Sequence, residues 1–329
     1  MRTRSFGTTD LQCSEIGFGT WALGSNWWGD VSQDDGVQLI HRALDLGITF
    51  FDTGDVYGKG ANEEIVASAL EEVPRESVQL STKFGYALDE GRRDHSQGER
   101  PQDWSPEHAR RALEGSLRRL RTDYVDLYQL HNPRMDAIER DDLYEELDRL
   151  RDEGKLRHYG VALGPAIGWR DEGLRALEER DITSLQTVYN VLEQEPGRAF
   201  LEAAERNGAG VMARVPTSSG LLEDKYTLET TFPPHDHRSH RPREWLVDGL
   251  QKVERLRFLS EEHGFTMAQG ALKFILAQDA IACVLPTVSN LEDLEEWAAA
   301  SDAPDLTAED LDRIAALYER NFDVEPVSA

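Results

Sequence analysis

Eight short apolar runs recur along this chain, separated by segments in which apolar residues return with the period of a helix. The runs centre on residues 16–19, 48–52, 78–83, 125–131, 159–162, 185–189, 211–215 and 282–286. Amphipathic segments such as 34–46, 106–120, 143–153 and 267–278 lie between them. Alternation of this kind predicts parallel strands joined by crossover helices. Eight such units with no Pro/Gly/Ser-rich divider predict an α/β fold: one (β/α)8 TIM barrel spanning residues 1–329, rather than an open doubly wound sheet. Residues 3–13 predict a hairpin before the barrel, and 245–262 and 308–319 predict extra helices towards the C-terminus. Ser105-Pro106 offers a helix cap followed by proline. Thr266 with Gln269, and Ser289 with Glu292, have capping-box spacing.

Barrel active sites form at the C-terminal rim. Two long connections, 85–104 and 217–244, are predicted there. Polar residues end three of the predicted strands: Asp52, Lys83 and His131. Tyr57 follows five residues after Asp52. One such residue alone is most simply structural, but four on adjacent strands of one rim form a coherent set. An ammonium near a phenol favours phenolate. A carboxylate near that ammonium holds it charged and in place. The phenol can then give a proton to a carbonyl oxygen, and a neighbouring imidazole can hydrogen-bond the same oxygen. The set suits hydride addition to an aldehyde or ketone.

With these residues placed, the chain resembles the aldo-keto reductase family. The resemblance rests on Gly17-Phe18-Gly19-Thr20-Trp21, Phe51-Asp52-Thr53-Gly54-Asp55-Val56-Tyr57-Gly58, Ser81-Thr82-Lys83-Phe84-Gly85, Ser116-Leu117-Arg118-Arg119-Leu120 and Asp126-Leu127-Tyr128-Gln129-Leu130-His131. Gln186-Thr187-Val188-Tyr189-Asn190 and Ser219-Gly220-Leu221-Leu222 extend it along the chain. It implies a catalytic tetrad of Asp52, Tyr57, Lys83 and His131, with Tyr57 as general acid. It also implies a nicotinamide cofactor lying across the rim, NADP(H) in most relatives, and a small-molecule carbonyl substrate. Gly19, Thr20, Trp21, Asp52, Gln186, Arg214, Pro286, Thr287, Ser289, Asn290 and Asp293 fall at cofactor positions. Trp27 and Trp28 read equally as walls of the substrate pocket or as loop packing.

Several cofactor positions depart from the family pattern. Ala162-Leu163 stands where Ser-Asn is usual, and Arg214 where an aromatic ring is common. A guanidinium can still stack on a ring. Residues 285–293, and Trp297 after them, hold no lysine or arginine for a 2′-phosphate, which leaves NAD(H) a fitting cofactor. A cofactor-binding regulatory protein on the same scaffold, and a Schiff-base aldolase acting through Lys83, are the alternative readings. His235, His237 and His240 have no diagnostic metal spacing and read as part of a solvated lid; no metal is expected.

Composition narrows the partners. The net charge is −26, from 62 acidic and 36 basic residues, which disfavours nucleic acid and anionic membrane. No apolar run is long enough for a membrane span, and residues 1–10 lack an apolar signal core, so the expected location is the cytoplasm. Cys13 and Cys283 read as buried thiols. Only six of the basic residues are lysines, and such an acidic, lysine-poor chain reads as adapted to high salt. The Debye length falls from ~30 Å at 0.01 M to ~3 Å at 1 M, so molar salt screens most of the self-repulsion. The melting temperature is expected to be higher in molar KCl than in dilute buffer. Equal values would count against salt adaptation.

Overall fold

The computed structural model describes residues 1–24, 28, 31–88, 100–164 and 169–325. A two-stranded antiparallel hairpin comes first, β1 (Thr3–Ser5) and β2 (Gln12–Ser14). Eight parallel strands follow: β3 (Phe18–Gly19), β4 (Phe50–Asp52), β5 (Gln79–Phe84), β6 (Val125–His131), β7 (Leu156–Ala162), β8 (Ser184–Val188), β9 (Gly210–Arg214) and β10 (Ile281–Leu285). Each pairs with its sequence neighbours. The seam between first and last strands is also joined: Gly17 N–H donates to the Val284 carbonyl (2.9 Å), Val284 N–H to Glu15 (2.9 Å) and Gly19 N–H to Pro286 (3.0 Å). Gly19 is needed there, because a Cβ would lie 2.6 Å from the Pro286 carbonyl oxygen. The sheet is therefore a barrel, as the eight-fold rhythm predicts.

The helices are α1 (Gln33–Asp45), α2 (Ala61–Ala69), α3 (Pro106–Leu120), α4 (Met135–Ile138), α5 (Asp141–Asp152), α6 (Arg170–Glu179), α7 (Gly197–Asn207), α8 (Arg243–Arg255), α9 (Phe258–Glu261), α10 (Met267–Leu276), α11 (Leu291–Ala299) and α12 (Ala308–Glu319). Their starts follow local chemistry. Ser105 caps α3 by accepting from His108 N–H, and Thr266 and Gln269 form the reciprocal box of α10. The expected Ser289/Glu292 box shifts by one residue: Asn290 caps α11 and accepts from Asp293 N–H. Asparagine competes with serine at this position, and spacing alone cannot rank them. The helix expected over 245–262 is two helices, α8 and α9. Among the described residues no helix is long and apolar enough to cross a membrane.

Strand alternation divides the barrel interior along its axis. Residues two apart share a face. Phe50, Leu127 and Met212 face the lower interior and cluster with Phe6, Leu11, Cys13, Cys283 and Leu285. The hairpin thus plugs the floor, with Phe6 against Phe50 at 5.7 Å between ring centroids. Both cysteines are buried and unbridged. One strand pleat higher, the same faces carry Asp52, Gln129 and Arg214, so the interior turns from apolar to polar towards the C-terminal mouth. Phe6→Ala should empty the centre of the floor. A loss of about 3–5 kcal/mol is expected, as for other buried Phe→Ala changes, measured by denaturant unfolding. A loss below about 1 kcal/mol would show that the hairpin is not part of the cooperative core.

Candidate active site

The mouth is organised around Asp52. Lys83 Nζ donates to Asp52 Oδ2 at 2.5 Å and to the Thr53 carbonyl at 2.7 Å. Asp52 Oδ1 accepts from Ser81 Oγ (2.9 Å) and Gln129 Nε2 (2.9 Å), and Oδ2 also accepts from Gln186 Nε2 (3.2 Å). Strands β4, β5, β6 and β8 therefore converge on one carboxylate. Lys83 is 0% exposed. Burial by itself would lower its pKa, but Asp52 and Tyr57, through charge and hydrogen bonding, more than offset this and hold it above the ordinary lysine value. The ammonium is thus a permanent cation in this site.

Tyr57 stands over that cation, with Lys83 Nζ 5.0 Å from its ring centroid. The turn that presents it needs left-handed backbone at Gly58, Lys59 and Gly60, with φ of 56°, 56° and 93°. His131 meets Tyr57 edge-on, centroids 5.6 Å apart, and Tyr86 edge-on at 5.1 Å. Burial, then the nearby Lys83 and Arg214 charges, drives His131 well below the usual histidine range, so the imidazole is neutral. Its Nδ1 is buried without a hydrogen-bond partner. All four residues of the expected tetrad are brought together. A fixed cation, a phenol above it and a neutral imidazole beside it can hold and move a proton at an oxygen bound between them.

The expected cofactor residues divide. Arg214, at the end of β9, donates from Nη2 to the Leu163 carbonyl (2.9 Å), but its Nε is buried with no partner. Burial pulls Arg214 below its ordinary value, although Tyr57 and Asp52 act in the opposite direction. Unpartnered nitrogens on Arg214 and His131, with Gln186 alongside, fit a polar, ring-shaped ligand seated over the strand ends. Thr20 differs: its hydroxyl lies 2.9 Å from the Asp52 carbonyl and 2.5 Å from Asn62 Oδ1, within a buried knot completed by Thr53. Asn290 spends both ends of its amide on Asp293, one to its N–H and one to its carboxylate. Pro286, Thr287 and Ser289 lie between β10 and α11. Trp297 is buried.

The seventh connection reaches over this rim. Lys225 pairs with Asp293 and lies 3.6 Å from Glu223. Sequence reasoning found no basic residue near 285–293 because this one arrives from some seventy positions upstream. His237 packs edge-on against Trp21 at 5.2 Å, and burial, then His240, lowers it to about 4. It is packed rather than solvated. Among the described residues no group of three or more His, Cys, Asp or Glu is placed to hold a metal ion. Arg238 lies over the Trp28 ring at 4.3 Å, bonds Asp236 and donates to Tyr226 Oη at 2.6 Å. Trp28 thus packs against this connection, while Trp27 lies outside the described residues. Ser81, Gln129, Thr53 and Asn62 were missed from sequence. The signal for two of them was present: Ser81 and Gln129 precede Lys83 and His131 by two positions, and so share their inward face.

Comparison with known proteins agrees with this geometry. The Aldo/keto reductase family model matches residues 15–319. The chain is 32% identical over 319 residues to the uncharacterised oxidoreductase YqkF of Bacillus subtilis, covering 94% of each chain. It is 30% identical over 312 residues to the NADH-specific methylglyoxal reductase of Escherichia coli, covering 91% of this chain and 93% of that one. Among solved structures, the glycerol dehydrogenase of Gluconobacter oxydans superposes with a TM-score of 0.82 at 29% identity, covering 99% of this chain and 98% of that one. An aldo-keto reductase of Bacillus halodurans, in its holo form, gives 0.76 at 28% identity, with 98% and 99% covered. The chain belongs to the aldo/keto reductase family. It is an NAD(P)H-dependent oxidoreductase that reduces carbonyl compounds.

Proposed function

We propose that Tyr57 is the proton donor in carbonyl reduction, with Lys83 and Asp52 supporting it and His131 orienting the substrate oxygen. The observation that carries this reading is the buried Lys83–Asp52 pair lying beneath the Tyr57 ring. When bound, the reduced nicotinamide supplies hydride to the carbonyl carbon. Tyr57 Oη gives its proton to the carbonyl oxygen as negative charge gathers there. The Lys83 ammonium stabilises the phenolate left behind, and Asp52 keeps that ammonium in place. Neutral His131 can hydrogen-bond the same oxygen. An amine held charged by a carboxylate at 2.5 Å lacks the free electron pair that imine formation needs, which disfavours the aldolase alternative.

Gln186 and Arg214 would hold the nicotinamide end, beside Gly19 and Trp21. Pro286, Thr287, Ser289 and Asn290 would meet the adenosine end. Trp28, Tyr86 and His237 would wall the substrate pocket. Lys225, which reaches the start of α11, is already matched by Asp293 and Glu223. A 2′-phosphate would have to compete with those carboxylates for it. This supports use of NADH as well as NADPH, and the name of the NADH-specific relative agrees with the first of these.

Tyr57→Phe should lower kcat by ~10² or more with little change in cofactor affinity, measured by steady-state kinetics and fluorescence titration. Near-normal turnover would remove Tyr57 from the proton-donor role. With the wild type and one aldehyde in molar KCl, kcat/KM for NADPH and NADH should agree within about tenfold, or ~1.4 kcal/mol. A hundredfold preference for NADPH would mean that Lys225 leaves its carboxylates for the phosphate.

A further inference from the structure

The turn that carries Tyr57 rests on a carboxyl group that the reaction does not use. Asp55 is 1% exposed, and its Oδ1 has no hydrogen-bond partner. Its backbone N–H points to the Lys83 carbonyl at 3.4 Å, and Val56 N–H reaches its carboxyl group. Charged and titratable groups approach it from each neighbouring element. From α2 comes Glu63, fully buried, which accepts from Arg119 Nε (2.6 Å) and Thr82 Oγ1 (2.6 Å). From α3 comes Arg119, packed against the end of the Tyr57 turn so closely that a Cβ on Gly60 would lie 2.6 Å from its Cδ. From β5 comes Lys83, held by Asp52 and the Thr53 carbonyl. From β6 comes Tyr128, fully buried, whose hydroxyl donates to the Ala109 carbonyl at 3.0 Å.

Two buried carboxyl groups therefore face one arginine, and Glu63 holds it. Lys83 is held by Asp52, and the Tyr128 hydroxyl spends its hydrogen bond on the Ala109 carbonyl. A carboxylate at Asp55 would be a buried charge with one oxygen unsatisfied, whereas the neutral acid leaves only an uncharged polar atom unpaired, a smaller cost.

We propose that Asp55 is a positioning residue: a neutral carboxylic acid beneath the Tyr57 turn, which keeps that turn seated only while it holds its proton. The kinetic consequence rests on the reading of Tyr57 as proton donor; the protonation state of Asp55 does not. Burial, then the charge of Glu63, pushes Asp55 up to about 8, while Arg119 and Lys83 pull the other way. Ionisation thus falls within the working pH range of an enzyme. The new charge is relieved by outward movement of the turn, whose left-handed residues Gly58, Lys59 and Gly60 set its shape. Tyr57 then leaves its place over Lys83.

The test compares wild type with Asp55→Asn, a neutral isostere. In the unfolded chain Asp55 loses its proton near the ordinary 3.8, and in the folded protein near 8, so wild-type stability falls as pH rises between those values and the linkage ends above them. The melting temperature of Asp55→Asn should gain on wild type from about pH 5 to about pH 8, then keep a constant lead. The alkaline limb of kcat/KM should move to higher pH in the variant. A melting-temperature difference that stays constant across that window overturns the neutral acid. An unmoved alkaline limb, with the melting result intact, overturns the positioning role. If Asp55→Asn does not fold, infrared spectroscopy of the wild type decides. A buried carboxylic-acid carbonyl band should disappear between about pH 7 and about pH 9, and its absence at pH 7 overturns the proposal. The melting and infrared readouts need no turnover, so a failed role for Tyr57 would show separately, as near-normal kcat in Tyr57→Phe.

Discussion

The ion pair between Lys83 and Asp52 sets the terms for the rest of the barrel mouth. An ammonium that is 0% exposed must be matched by charge and hydrogen bonds, or it would lose its proton. Asp52 supplies the charge, and Ser81, Gln129 and Gln186 complete the coordination of its oxygens. Such a pair contributes little net stability, yet removing one partner typically costs about 3–5 kcal/mol. Its value lies in geometry. Four strands are held in one relation by a single carboxylate, and the cation is fixed under Tyr57 before any ligand arrives. A charge fixed in this way needs little reorganisation, which is the condition for effective electrostatic support.

That polar mouth is possible because the other end of the interior is closed by hydrophobic packing. Phe6 and Leu11 from the hairpin fill the floor against Phe50, Leu127 and Met212. The same strand faces then carry polar residues above. One inward row per strand thus serves stability below and chemistry above. The buried residues behind the Tyr57 turn follow a different logic. Glu63, Arg119, Thr82 and Asp55 lie on the outer side of β5, between strand and helices, where they can act on the turn without touching a ligand.

The seventh connection adds a second, longer-range constraint. Lys225 on Asp293, Arg257 on Asp224 and Arg238 on Trp28 anchor it to α11, α8's C-terminal end and the first loop. Arg238 lies over the Trp28 ring and forks onto Asp236, a combination that lysine does not provide. A chain with only six lysines nonetheless places one, Lys225, at the start of α11, and neutralises it there with Asp293 and Glu223.

The sequence by itself determined the barrel and the placing of Asp52, Tyr57, Lys83 and His131 at one rim. Apolar runs alternating with amphipathic segments reflect burial of each strand on both faces, a local property, so all eight strands were legible to within a few residues; α3 and α12 were legible to the residue. Asp52, Lys83 and His131 were legible because a strand ends where its polar residue meets the rim, and Tyr57 because its motif lies close by. Chain position carries no such information about groups that meet across the barrel. Only tertiary structure decided that Gln129 and Gln186 bind Asp52, that Thr20 serves a buried knot, and that Lys225 reaches Asp293. It also decided that Arg119 is taken by Glu63, leaving Asp55 Oδ1 without a hydrogen-bond partner. The physical reason is common to all of these: hydrogen bonds and ion pairs depend on distances of a few ångströms between residues tens to hundreds of positions apart, and those distances exist only once the barrel has closed.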